Sequence, residues 1–115
     1  MAKADQPVYM KLRDKIAAAI LDGTYADGDS LPSVRALAAE EGANPLTVAK
    51  AYQTFQDDGI VVVKRGVGMF VASGAATKLR KSEKDSFLNE EWPRIAAHIR
   101  RLDLDPAELL DREFA

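Results

Sequence analysis

The segment from Ser33 to Gly59 constrains the fold most, because it marks out two short helices with very little chain between them. Ser33 is a favourable N-cap, and Gly42 suits a helix end. Asn44 and Pro45 then supply a second N-cap and a first helical position. Gly59 ends the second helix. Two short helices joined around a glycine have the spacing of a helix-turn-helix.

A longer helix is predicted before this segment, over residues 7–21. Pro7 suits its first position, Gly23 follows its end, and residues 25–32 form a turn-rich connector. Apolar residues recur at helical spacing in all three helices. They are Val8, Leu12, Ile16, Ala19 and Ile20 in the first, Val34, Leu37 and Ala38 in the second, and Val48, Tyr52 and Phe55 in the third.

The pattern changes to that of strands after Gly59. Residues 60–63 and 69–71 are rich in β-branched and apolar side chains, and the glycine-containing tip 64–68 separates them. This arrangement predicts a β-hairpin, whose core we expect to include Ile60, Val62 and Phe70. A hairpin directly behind a helix-turn-helix is a wing, so the fold class is mainly α with a small β-hairpin.

The small residues 73–76 indicate a joint, which divides the chain into a winged helix-turn-helix domain (1–74) and a helical tail (75–115). Pro93 predicts a kink or short break in the tail, and Pro106 begins a last helix that ends near Phe114. The tail has an apolar stripe at helical spacing, too long for a monomer to hide, which predicts dimerisation. Its residues are Phe87, Leu88, Trp92, Ile95, Ile99 and Leu102. The last helix adds Leu109 and Leu110, and it would cover the partner or fold back on the same stripe.

Composition excludes several other classes. The chain has 115 residues, which fits one small domain with an appendage, and it has no cysteine for disulfides or thiolate metal sites. We find no signal run and no apolar stretch of about 20 residues, so we expect a soluble cytoplasmic protein without a membrane partner. His98 is the only histidine, and no acids at metal spacing accompany it. The sequence therefore predicts no enzyme, no metal and no cofactor.

The outer face of the third helix is the first candidate for binding DNA. With its apolar stripe turned inward, this helix exposes Leu46, Thr47, Lys50 and Gln53. Lysine pairs with guanine acceptors, glutamine with adenine, and apolar groups with the thymine methyl in the major groove. The alternative is an ordinary solvated helix face.

Two further sets of residues extend this candidate surface. Ser33 and Arg35 begin the second helix, where free N–H groups and a guanidinium suit a phosphate. A cap plus a surface ion pair is the alternative there. The wing tip carries two cations beside two glycines, which permit close approach of the backbone to a groove; they are Lys64, Arg65, Gly66 and Gly68. The alternative is that the glycines serve turn geometry and the cations blunt an edge strand.

The charge balance makes any DNA-binding surface a local one. The chain has 16 basic and 18 acidic residues, a net charge of −2, whereas DNA-binding domains are often basic as a whole. The acids of residues 1–74 gather near the ends of predicted elements, as at Asp22, Asp27, Asp57 and Asp58. The cations would form one patch if the hairpin folds beside the third helix.

A series of motifs stands in one order along residues 7–72. They are Pro7-Val-Tyr9, Ile20 to Gly23, Gly28-Asp-Ser-Leu-Pro-Ser-Val-Arg35, Leu37-Ala38, Asn44-Pro-Leu-Thr-Val48, Ala51-Tyr52, Asp58-Gly59-Ile60 and Arg65-Gly-Val-Gly-Met-Phe-Val71. In this order they resemble the GntR family of bacterial winged-helix regulators. The segments ending at Arg35 and Val71 carry most of the likeness.

The resemblance implies DNA contacts from Arg35, from Asn44, Thr47 and Lys50, and from the glycine-bearing wing tip. Lys50 stands where the family often has arginine. Lysine lacks the rigid fork of donors that an arginine side chain presents. The C-terminal part of about 40 residues is similar to the YtrA-like branch, whose short helical tail serves dimerisation.

The sequence thus predicts a transcription regulator, acting as a repressor, that binds a pseudo-palindromic double-stranded DNA operator as a homodimer. The alternative is a winged-helix protein-interaction module without DNA binding, which the acidic balance favours. A tail this short leaves little room for a deep ligand pocket. An effector, whose identity the sequence leaves open, would have to bind between domains or subunits.

Overall fold

The computed structural model describes residues 7–114, which form six α-helices, one π-helical turn and two strands. In chain order they are α1 (Val8–Leu21), α2 (Val34–Glu41), α3 (Pro45–Asp57), β1 (Val61–Lys64), β2 (Gly68–Val71), α4 (Ala75–Ser86), the π-helical turn (Phe87–Glu91), α5 (Trp92–Arg101) and α6 (Pro106–Phe114). Contacts between residues divide the chain into two units, with the division between Arg80 and Lys81.

The caps predicted for the helix-turn-helix are present. The Oγ of Ser33 accepts a hydrogen bond from the N–H of Ala36 at 3.1 Å, and the Oδ1 of Asn44 accepts one from the N–H of Leu46 at 2.8 Å. Gly42 ends α2 with a φ of +63°, a left-handed conformation that glycine adopts without steric cost. These contacts confirm the two helices and the tight turn between them.

The core of the first unit lies between α1, α2, α3 and the hairpin. Val48, Tyr52 and Phe55 are almost fully buried, as their spacing predicts. The Tyr52 hydroxyl donates a hydrogen bond of 2.6 Å to the carbonyl oxygen of Pro32. The other buried residues are Leu12, Ile16, Ala17, Ile20, Leu31, Leu37, Ala38, Ala51, Ile60, Val61, Val71, Ala75 and Leu79.

The hairpin differs from its prediction in which residue faces the core. Val61 pairs with Val71, and both are buried, whereas Val62 pairs with the half-buried Phe70 and is exposed. The prediction that Val62 lies in the hairpin core is therefore wrong. Side chains alternate along a strand, and the buried face begins at Val61, so Val62 lies on the other face.

The connector between α1 and α2 extends this small sheet. The N–H of Leu31 donates to the carbonyl of Met69, and the N–H of Val71 donates to the carbonyl of Asp29, both at 2.9 Å. A single bridge also joins Ser30 to Phe70. The connector predicted only as turns thus fixes the wing to the rest of the unit through β2.

Two details of α1 also differ from the prediction. Pro7 lies immediately before the helix, in the N-cap position, and Val8 is 60% exposed although the apolar spacing includes it. The helix end is as predicted, since Gly23 follows the C-cap with a φ of +89°. Val8 is exposed because its first-turn position extends beyond the core formed by Leu12, Ile16 and Ile20.

The first part of α4 packs into the first unit. Ala75 and Leu79 are buried in its core, and the Arg80 guanidinium donates to the carbonyl of Leu21 at 3.4 Å. Of the joint predicted at residues 73–76, residues 73 and 74 form the turn before α4, whereas Ala75 and Ala76 belong to the helix. The division by contacts comes later, after Arg80.

In the second unit, none of the described residues 81–114 is buried. The irregularity predicted around Pro93 is a π-helical turn, in which the Trp92 N–H donates to the carbonyl of Phe87, five residues back. Proline has no N–H and crowds the carbonyl four residues before it, and a wider turn relieves that conflict. No helix within residues 7–114 is long and apolar enough to cross a membrane.

Candidate nucleic-acid interface

Helix α3 is the central element of the candidate surface, because it packs against α1, α2 and β1. Its buried stripe fixes which side faces outward. Leu46 is 80% exposed, Lys50 and Gln53 are exposed, and Thr47 is half-buried. The structure thus presents together the four side chains that the sequence predicts for this face.

Two of these side chains already have partners. The Lys50 Nζ lies 4.2 Å from the centroid of the Tyr9 ring, a cation–π contact. The Gln53 Nε2 donates to the Oδ1 of Asp57 at 2.9 Å. This bond uses one N–H of the Gln53 amide, so its second N–H and its Oε1 remain available, and the Lys50 ammonium keeps its donors free.

The start of α2 combines a completed cap with an exposed guanidinium. The Ser33 Oγ uses an acceptor lone pair for the cap, which leaves its O–H free to donate. Arg35 is exposed and forms no ion pair with any of residues 7–114. The alternative interpretation of this helix start is a cap with a surface ion pair. The cap is present, but Arg35 forms no ion pair among these residues.

The side chain of Asn44, at the start of α3, also forms a cap with one group and leaves another group free. Its Oδ1 accepts the capping bond from Leu46, which leaves the two N–H groups of the amide as donors toward solvent. A capping residue can therefore also donate to a phosphate or a base.

The wing tip is exposed and depends on its glycines for its shape. The Val67 N–H donates to the Lys64 carbonyl at 2.9 Å, which closes a β-turn with Arg65 and Gly66 at its centre. Gly66 has a φ of +77° and Gly68 one of +143°, so both positions favour glycine on conformational grounds.

Helix α1 adds a wall to this surface that the sequence pattern does not predict. An open groove of about 300 Å³ separates the first turn of α1 from α3. It is lined by Val8, Tyr9, Leu46, Thr47 and Lys50. Tyr9 belongs to the motif Pro7-Val-Tyr9, but helical spacing alone cannot show which side chain of another helix an aromatic ring contacts.

The predicted dimerisation stripe forms a second candidate surface, on the second unit. Phe87, Leu88, Trp92, Ile95, Leu102 and Leu110 are all more than 40% exposed. Ile99 and Leu109 are half-buried. The rings of Phe87 and Trp92 lie 6.5 Å apart between centroids and tilt by 30°. His98 is exposed.

Comparison with known proteins identifies the same region. The family model for bacterial regulatory proteins of the gntR family matches residues 8–71, from the first residue of α1 to the last of β2. The chain belongs to the GntR family. It is therefore a DNA-binding transcription regulator rather than an enzyme, as the sequence predicts.

Individual GntR relatives extend the match beyond the winged helix. The repressor YtrA of Bacillus subtilis is 33% identical over 105 residues, which cover 90% of this chain and 80% of that protein. A GntR-family regulator from Bacteroides thetaiotaomicron is 33% identical, with a TM-score of 0.71 over 94% of this chain and 96% of the other. The predicted fold class and the YtrA-like character are confirmed.

A further GntR-type structure contains DNA. The DNA-binding domain of AraR, solved in complex with operator ORR3, is 26% identical, with a TM-score of 0.56. The match covers 57% of this chain and 80% of that one.

Proposed function

We propose that this GntR-family chain is a repressor that binds a pseudo-palindromic DNA operator as a homodimer. The observation that carries the proposal is the outward face of α3, where exposed Leu46, Lys50 and Gln53 stand beside half-buried Thr47. Such side chains, on a helix of a helix-turn-helix, suit the base edges of a major groove. The repressor role is carried over from YtrA, and the site of action would be the cytoplasm.

In this proposal α3 reads bases. The Lys50 ammonium donates to guanine N7 and O6, and Leu46 and the Thr47 methyl contact thymine methyl groups. Gln53 reads adenine with its Oε1 and the amide N–H that is not bonded to Asp57. Asn44 donates to DNA through the amide N–H groups that its cap leaves free.

The other contacts hold the backbone of the duplex. Arg35 grips a phosphate with its guanidinium, and the Ser33 hydroxyl donates to the same or a neighbouring phosphate. The wing tip enters the minor groove, where Lys64 and Arg65 meet its negative potential. Gly66 and Gly68 keep the wing backbone free of side chains on its approach.

The exposed stripe of the second unit forms the dimer interface. Each buried side chain of this kind contributes roughly 1.5–3 kcal/mol, so pairing two stripes can exceed the cost of association. Residues 1–74 bind DNA and residues 75–115 dimerise in this proposal. The apolar stripe begins at Phe87. A two-fold dimer presents two α3 helices about one turn of DNA apart, or a multiple of that, which requires a pseudo-palindromic site.

The test is selection of DNA fragments by the full-length chain from a random pool, followed by a gel shift with the recovered sequence. We expect enrichment of a two-fold symmetric motif and a complex that contains two copies of the chain. Failure to enrich any sequence at low salt would overturn the proposal. That outcome would favour a winged-helix protein-interaction module instead.

A further inference from the structure

We propose that Tyr9 is a positioning residue for DNA recognition, which holds the Lys50 ammonium at the groove between α1 and α3. The first turn of α1 then takes part in setting the base preference of α3. This inference rests on the proposed function, because it assigns a further residue to the same surface.

The contact itself is short and crosses between two elements. The Lys50 Nζ lies 4.2 Å from the Tyr9 ring centroid, well within the roughly 6 Å at which a cation and a ring face attract each other. The Tyr9 ring is half-buried, so its own position is constrained by packing. Lys50 forms no ion pair with a carboxylate of residues 7–114, so the ring is its partner within that part of the chain.

The surroundings of this pair are suited to a ligand. Val8 and Leu46 line the same groove and are 60% and 80% exposed, whereas the apolar residues deeper in α1 and α3 are buried. A groove with apolar edges and one ammonium matches neighbouring base pairs that offer guanine acceptors and a thymine methyl group. Both helices supply its walls, so the reading surface is larger than α3 alone.

The ring compensates for a weakness of lysine. A lysine ammonium is a point charge on a flexible stem of four carbons, without the rigid fork of arginine donors. Ordering such a side chain on DNA costs rotamer entropy, and a ring that restricts the stem beforehand lowers that cost. The ammonium can donate to a base while its other side still faces the ring, so the contact persists in the complex.

The contact is tested first in the free full-length chain by NMR. We expect the ε-methylene protons of Lys50 to be shifted upfield by the Tyr9 ring current. Tyr9→Phe keeps a ring and should keep the shift, whereas Tyr9→Leu should abolish it. An unshifted Lys50 in the unsubstituted chain would overturn the inference without any reference to DNA.

The role in recognition is tested by a double-mutant cycle on the selected operator. Tyr9→Leu should weaken binding about two- to five-fold, the range expected for an exposed cation–π contact, and relax preference at the position that Lys50 reads. Tyr9→Phe should bind like the original chain. In a Lys50→Ala background, Tyr9→Leu should have no further effect, and melting curves should show that all variants fold.

Other outcomes of the binding experiment would overturn the proposed role of Tyr9. Equal losses for Tyr9→Phe and Tyr9→Leu would assign the effect to the hydroxyl and overturn the role of the ring. Tighter binding by Tyr9→Leu would show that the ring withholds Lys50 from DNA and would overturn the positioning role. Additive effects of Tyr9→Leu and Lys50→Ala would overturn the coupling between the two side chains and leave the proposed function intact. Absence of DNA binding by the unsubstituted chain would overturn the proposed function itself.

Discussion

Lys50 and Arg35 are both exposed cations of the helix-turn-helix, but their positions predict different effects on DNA binding. Lys50→Ala should cost about 1–3 kcal/mol of operator binding and relax preference at one position, because it removes a base contact. The measurement is affinity for the selected operator and for its single-base variants. Lys81→Ala, which removes an exposed cation outside the proposed interface, is the matched control.

Arg35→Ala should weaken binding to all sequences alike, because a phosphate contact carries no sequence information. It should also reduce the slope of log affinity against log salt by about one unit. Titrations at several salt concentrations measure both effects. If neither Arg35→Ala nor Lys50→Ala changes affinity, the proposed orientation of the winged helix on DNA is wrong.

Tyr52 should make stability depend on pH in the alkaline range. Its burial raises the pKa of the hydroxyl from 10.0 to about 12. The unfolded chain therefore releases this proton first, and the stabilisation is complete below pH 10 and lost as the pH rises toward 12. Denaturant unfolding at several pH values measures this loss.

Tyr52→Phe is the control for that dependence. Near neutral pH it should be less stable by about 0.5–1.5 kcal/mol, because the hydrogen bond to Pro32 is lost. The difference in unfolding free energy between the two chains should shrink above pH 10. A difference that stays constant up to pH 12 would contradict the assignment to Tyr52.

Among the elements, the wing shows how one residue can serve folding and binding together. Gly66→Val should impair DNA binding if the wing backbone lies close to the groove. At a φ of +77° a β-branched residue is strained, by roughly 1–2 kcal/mol, although the space around a Cβ is open. We therefore expect Gly66→Val to lower the melting temperature as well as affinity.

Gly66→Asn separates the two effects, because asparagine tolerates the left-handed region. It should melt close to the original chain and still bind operator more weakly, if the wing backbone lies close to the groove. Melting curves and gel shifts of both variants give the comparison. Full operator affinity in Gly66→Asn would show that this glycine serves the turn alone.

The helix boundaries of the first unit follow from local chemistry, and the sequence predicts them well. Ser33 and Asn44 each form the expected cap with N–H groups two or three residues away. The predictions that are wrong or missing concern burial and pairing, which depend on contacts with another element. The prediction for Val62 is wrong because burial along β1 depends on where the strand enters the core. The bridge from Ser30 to β2 is not predicted because it joins segments that are distant in sequence.

At the scale of the whole molecule, the boundary of the DNA-binding unit is open to a direct test. A chain that ends at Arg80 should fold as a monomer with weak operator binding. A chain that ends at Gly74 should melt much lower, because it lacks Ala75 and Leu79, and burial of a leucine contributes roughly 1.5–3 kcal/mol. Equal melting temperatures would show that α4 does not stabilise the first unit.

The full-length chain should sediment as a dimer at micromolar concentration. Ile95→Glu places a charge within the exposed stripe and should shift the chain toward monomer while the first unit stays folded. Operator binding should weaken in parallel, since two linked α3 helices bind more strongly than one. A monomer in the unsubstituted chain would contradict the proposed role of the stripe.

The sequence by itself determined the helices, the wing, the family and the residues that α3 exposes, because caps, glycine stops and apolar periodicity act over a few neighbouring residues. Tertiary structure decided which residues of different elements meet. It buried Leu79 in the first unit, placed Tyr9 against Lys50, and faced Val61 rather than Val62 toward the core. These outcomes depend on packing between segments far apart in the chain, and no local pattern encodes the distance between them.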